Sequence, residues 1–160
     1  MIFKPRLAFW FLGFAIMLLL VPAVRAQAPA APIASQVLTA KKVFISNIGN
    51  GFDSSIWSGG SNRLYNDFYA VMKSHGRYQL VTAPNAADLV MEVEAVSDPG
   101  IRQLRLRILD PGTGIVIWTI YETVKITGLQ KTRDNCLDDA INNLVGDLEA
   151  LTAQPAAAAK

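Results

Sequence analysis

One histidine and one cysteine limit the chemistry open to this chain of 160 residues. Hydrolases that attack with Ser or Cys need an imidazole within reach to take the proton. His75 is the sole imidazole, and its spacing from Phe68 and Met72 puts it on the apolar face of a helix, just before Gly76. That position suits a core-edge or capping His. Cys136 adjoins Leu137 and precedes Ala140 by four residues, which is the spacing of helix packing. The competing reading is a thiol activated near a helix N-terminus. With one residue of each kind, an all-protein His/Cys metal cluster is excluded. Asp134, Asp138 and Asp139 crowd together, yet their spacing fits a solvated helix start better than a cation loop. Gly49-Asn50-Gly51 follows a strand as a dinucleotide fingerprint would, but Ser54 stands where the third glycine belongs. Arg102, Arg105 and Arg107 are matched by Glu92 and Glu94, which disfavours a phosphate patch. These residues point to no catalytic, cofactor or metal site, and hence to no enzyme.

Aromatic residues offer more. Trp57 lies beside Ile56 in a Gly/Ser-rich stretch, Gly49–Asn62. It either folds back onto the core or serves with Ile56 as a contact for a protein partner. Tyr121 falls on the outer side of a strand. Ile56, Trp57 and Tyr121 are therefore the candidate partner contacts. The same loop is the alternative place for a small ligand or glycan.

Around these residues the chain divides into four parts. Residues 1–26 read as a secretory signal: Lys4 and Arg6 lead, Leu7 to Val21 is unbroken apolar, and Val24-Arg25-Ala26 supplies small residues at the cleavage positions. The apolar run is 15 residues, against about 20 for a span; only an uncleaved leader would touch the membrane. Residues 27–39 form an Ala/Pro-rich linker in which Pro29 and Pro32 hold the chain extended. A domain over 40–153 follows, then a disordered tail over 154–160. Apolar residues make up 51% of the chain and charged ones 18%, a composition that folds. The formal charge of +2 comes from 15 basic and 13 acidic groups, and losing Lys4, Arg6 and Arg25 with the leader leaves 12 against 13. A surface with that balance does not favour nucleic acid.

Periodicity supplies the elements. Lys41–Asn47 is a β-branched run that reads as a strand, and Arg77–Thr82 is a second. Between them Leu64, Phe68, Val71 and Met72 recur on one helix face, with Gly76 as the C-cap. Leu89–Val96 and Ile101–Leu109 alternate with period two around Asp98-Pro99-Gly100. A turn there sets Asp98 opposite Ile101, Glu94 opposite Arg105 and Glu92 opposite Arg107, with both apolar sets on one face. Asp110 to Gly114 turns the chain into Ile115–Ile126, where Val116, Trp118, Ile120 and Val124 extend the inner face. Glu122 breaks that pattern and predicts a bulge or exit nearby. Leu137, Ile141, Leu144, Leu148 and Leu151 mark a last helix, capped by Thr132 or Asp134. The order β-α-β-β-β-β-α predicts an α+β two-layer sandwich: a mostly antiparallel sheet of about five strands with two helices on one face.

Leu104–Trp118 (LRLRILDPGTGIVIW), preceded by Ala87-Asp88-Leu89-Val90, resembles bacterial envelope domains of the TolB N-terminal and CsgG-like class. In those families an ADLV strand precedes a hairpin whose turn reads D-x-x-T-G and whose next strand ends in Leu/Ile-Trp. Here the matching residues are Asp110, Thr113, Gly114, Ile117 and Trp118. The resemblance implies a small stand-alone relative that makes protein contacts at the cell envelope without catalysis. Sequence and resemblance together give one expectation: an exported, periplasmic or envelope-associated domain without a cofactor, whose partner is an envelope protein.

Overall fold

A computed structural model describes residues 32–49, 56–98 and 101–153. The leader, the first part of the linker, residues 50–55 with Asn50, Gly51 and Ser54 of the glycine- and serine-rich stretch, Pro99-Gly100 and the C-terminal tail lie outside the described residues. In chain order the elements are α1 (Ser35–Thr39), β1 (Lys42–Ser46), α2 (Arg63–His75), β2 (Gln79–Leu80), a 3-10 turn (Pro84–Ala86), β3 (Leu89–Asp98), β4 (Ile101–Leu109), β5 (Val116–Thr123) and α3 (Gln130–Ala153). The five strands form one sheet in the order β2-β1-β3-β4-β5. This is the expected α+β arrangement, with a mixed sheet. β1 pairs parallel with β2 and β3, whereas β3–β4 and β4–β5 are antiparallel. The parallel β1–β2 pair follows from the crossover through α2, and the segment with the 3-10 turn returns the chain a second time, so that β3 also runs parallel to β1.

The β3–β4 register is the one that alternation and the Pro-Gly turn imply. Asp98 pairs with Ile101, Glu94 with Arg105 and Glu92 with Arg107. Met91, Val93, Ala95, Leu104, Leu106 and Ile108 are buried on the inner face. Over them lie Leu64, Phe68 and Met72 of α2 and Leu137, Ile141, Leu144 and Leu148 of α3, all in one core. Gly76 ends α2 in the left-handed conformation (φ 68°), where a side chain would strain the backbone. Among the described residues, no helix is long and apolar enough to cross a membrane.

Two expectations change. The linker does not run free to residue 39. Ser35–Thr39 is a helical turn whose Val37 is fully buried. Beside it, Gln36 Nε2 donates to the Asp88 carbonyl (3.0 Å) and to Asp110 Oδ1 (3.1 Å). Asp88 in turn accepts the backbone N–H groups of Lys41 and Lys42, both at 2.8 Å. This strap fastens the start of the domain to two loops of the sheet. The second change concerns β5. Ile108 pairs with Trp118 but Leu109 pairs with Val116, so Ile117 is an extra residue in a bulge. The slip turns Val116 to the outer face. Glu122 stays on the inner side at the strand's end, where Asn143 Nδ2 of α3 donates to its Oε1 (3.0 Å).

Because Val37 is packed, Val37→Ala is expected to cost about 2 kcal/mol of folding stability, from lost apolar burial and a small cavity. Chemical denaturation of the two proteins checks this; a change within about 0.5 kcal/mol, typical of exposed sites, would return residues 33–39 to the role of spacer.

Candidate functional site

The candidate contacts do not share one fate. Trp57 is 6% exposed and belongs to the core. Ile56 is partly buried against the same core. Its carbonyl accepts from Gln130 Nε2 (2.9 Å) and Arg133 Nε (3.1 Å) of α3. Neither residue projects into solvent: burying an indole stabilises more than leaving it in water, so residues 56–57 turn inward. Trp57 consequently offers no exposed ring face on which a sugar could stack. Tyr121 differs. It stands on the outer side of β5 opposite Arg105 and is 51% exposed.

The segment after Trp57 is held by charge. Ser58 donates its backbone N–H to Asp134 Oδ1 (2.9 Å) and its hydroxyl to Asp134 Oδ2 (2.7 Å). Arg63, in the first turn of α2, reaches Asp134 (2.7 Å), Asp138 (2.8 Å) and Asp67 (3.0 Å). One guanidinium thus binds three carboxylates and ties α2 to α3. Partial burial weakens the charged form of Arg63, but the bonds to Asp67 and Asp138 outweigh it and raise its pKa above the ordinary value. Asp134 is lowered to about 2, first by the Ser58 hydroxyl and then by the Ser58 N–H, with Gln130 and the Arg63 charge assisting. Asp134 was expected to cap a helix; α3 starts earlier, at Gln130, and the carboxylate instead anchors a loop 76 residues away in sequence. That partner is invisible to local spacing.

The other chemical candidates stand apart. Asp139 lines a groove with Glu122, Lys125, Cys136 and Asn143, away from the Asp134 and Asp138 carboxylates on Arg63. Among the described residues, no three His, Cys, Asp or Glu side chains gather as metal ligands would. His75 meets Glu149 of α3 at 2.8 Å, at the far end of α2 from Arg63. Cys136 is half-buried. Among the described residues, no nucleophile, imidazole and oxyanion donor converge.

The outer sheet face carries what periodicity had left unassigned. Cross-strand pairing aligns Phe44, Val90, Leu109 and Val116 in one apolar row over β1, β3, β4 and β5. The next rows are charged: Arg107 Nη2 meets Glu92 Oε2 at 2.9 Å, and Arg105 Nε donates to Glu94 Oε1 at 2.8 Å. The parity of Phe44, Val90 and Leu109 was readable in the sequence. Val116 was not, because the bulge moved it.

No protein-family model and no curated protein sequence matches the chain. Among solved structures it is similar to the PelC dodecamer from Paraburkholderia phytofirmans. A leucine-to-methionine variant of that protein aligns at 15% identity, with 74% of this chain and 93% of that one covered and a TM-score of 0.49. A second crystal form gives 14% identity, 74% and 91% coverage and a TM-score of 0.41. E. coli LpoB, solved by NMR, aligns at 15% identity over 61% of this chain and 72% of that one, with a TM-score of 0.36. Likenesses this distant say nothing of the role of any residue.

Since Asp134 is lowered in the folded state, its contribution to stability is present above the ordinary carboxylate pKa of about 4 and is lost as pH falls through about 2. Asp134→Asn is expected to destabilise at neutral pH and to flatten the loss of stability between those two limits, as read by denaturation midpoints. Ser58→Ala, which removes the largest cause, is expected to move the Asp134 carboxyl resonance up toward its ordinary titration range. An unshifted titration in that variant would contradict the assignment.

Proposed function

We propose that this chain is an exported, envelope-associated domain that acts by binding another protein and not by catalysis. The observation that carries the reading is the division of its two sheet faces. The inner face is closed by α2 and α3, while the outer face presents an apolar row, balanced charge pairs and the exposed Tyr121. Export is supported by the order of charge, apolar run and small residues over 1–26, which lie outside the described residues. The absence of catalysis is supported by where the reactive types lie among the described residues: His75 on Glu149, and Arg63 on three carboxylates. The motif around Asp110 to Trp118 that resembles the TolB N-terminal and CsgG-like class agrees with an envelope role. In this structure it builds a turn: Thr113 Oγ1 donates to Asp110 Oδ2 (2.6 Å), and Gly114 takes a φ of 68°.

A photoreactive amino acid placed at Tyr121 is expected to give a discrete protein adduct in cells, and one placed at Asn66, on the exposed side of α2, is expected to give none. His75→Ala and Cys136→Ser should leave the adduct unchanged. The mass of the mature protein should correspond to cleavage after Ala26. Equal labelling from both positions, or none from Tyr121, would contradict a binding role for the outer face.

A further inference from the structure

The two edges of the sheet are built differently. β2 is two residues long, follows Arg77 and ends shortly before Pro84, which are ordinary ways of blunting an edge. β5 runs for eight residues, VIWTIYET, without Pro, Gly or Lys. Its bulge affects only the first residues, and its one charge, Glu122, is turned to Asn143. Among the described residues, no strand pairs with its far side. The Val124 N–H donates to the Arg102 carbonyl (2.9 Å), so the alternating backbone groups of Thr119, Tyr121 and Thr123 point away from β4. Exposed apolar side chains gather along the same strand: Ile115 (62%), Val116 (42%) and Tyr121 on it or at its start, and Leu129 (80%) shortly after its end.

We infer that β5 pairs antiparallel with β5 of a second copy of this chain, joining two sheets about a two-fold axis near Ile120. The inference rests on the protein-binding reading above and names the partner. A two-fold axis at Ile120 sets Thr119 opposite Tyr121, with their outward N–H and C=O groups meeting in hydrogen-bonded pairs, and sets Trp118 opposite Glu122. No like charges face each other. The outer-face charges are already matched within each copy, Glu92 with Arg107 and Glu94 with Arg105, so a like surface is not repelled on approach. A head-to-tail ring would need β2 as acceptor, and its two residues offer too short a ladder.

Sedimentation equilibrium of the purified mature protein across a wide concentration range tests this. The expected mass is twice that of one chain, with slowed hydrogen exchange at the amides of Thr119, Tyr121 and Thr123 as concentration rises. A combined Thr119→Glu and Tyr121→Glu variant should be monomeric with its melting temperature kept. Each new carboxylate faces Arg107 or Arg105 in its own sheet but meets another carboxylate across the two-fold. Thr119→Pro removes one outward donor at an edge where proline is tolerated, and should also give the monomer. A wild-type monomer at every concentration, or a dimer that survives both variants, overturns the inference. If a monomer still cross-links at Tyr121 to a different protein, self-pairing fails and the binding reading stands; a monomer with no adduct sinks both.

Discussion

The register of β3 against β4 is the constraint on which the rest of this structure depends. A strand's side chains alternate strictly, so a slip of one residue would move Met91, Val93 and Ala95 into water and bring Glu92 and Glu94 into the core. With that register fixed, one side of the sheet is apolar from β1 to β4 and must be covered, and α2 and α3 cover it. The opposite side inherits the charges, and the same register sets Glu92 against Arg107 and Glu94 against Arg105. Each exposed pair contributes roughly 0.2–1 kcal/mol, so the ion pairs follow from the packing and do not direct it.

Arg63 has a different part. It sits where α2 begins, beside the loop that brings the chain back from β1, and its three carboxylates come from two helices. Through Asp134 the same cluster holds Ser58, and Ser58 is next to the buried Trp57. Residues 57–58 are thereby held at both their backbone and their ring. Asp134 and Asp138, which crowd together in the sequence as metal ligands might, serve instead to hold Ser58 and Arg63.

How much of this was legible depends on the range of the interaction. The β3–β4 pairing, the stripe from Leu137 to Leu148 and the Gly76 cap are local patterns of period two, period 3.6 and a single backbone conformation, and each can be read from neighbours in the chain. Val37 cannot: a helix of five residues shows no period, and its burial depends on residues far along the sequence. The bulge at Ile117 is likewise silent, since Ile115, Val116 and Ile117 are apolar at every position and do not show locally that Val116 has left the face of Trp118 and Ile120. For the candidate contacts, Tyr121 followed from alternation, whereas the inward fold of Ile56 and Trp57 depends on Gln130, Arg133 and Asp134 of a distant helix.

The mixed sheet also carries a consequence for the order of assembly. β3, β4 and β5 follow one another directly and close over short loops, so they can zip together as soon as they exist. β1 is made first, yet its partner on the meander side, Val43 with Leu89, arrives 46 residues later, after the edge strand β2 that pairs with its other side. A chain that leaves the ribosome or crosses a membrane N-terminus first must therefore carry the meander-facing edge of Val43, Phe44 and Ile45 unpaired until the strands behind them have emerged. The first strand synthesised thus joins the meander late, and β2, which pairs with β1 alone, can take the sheet edge only with it.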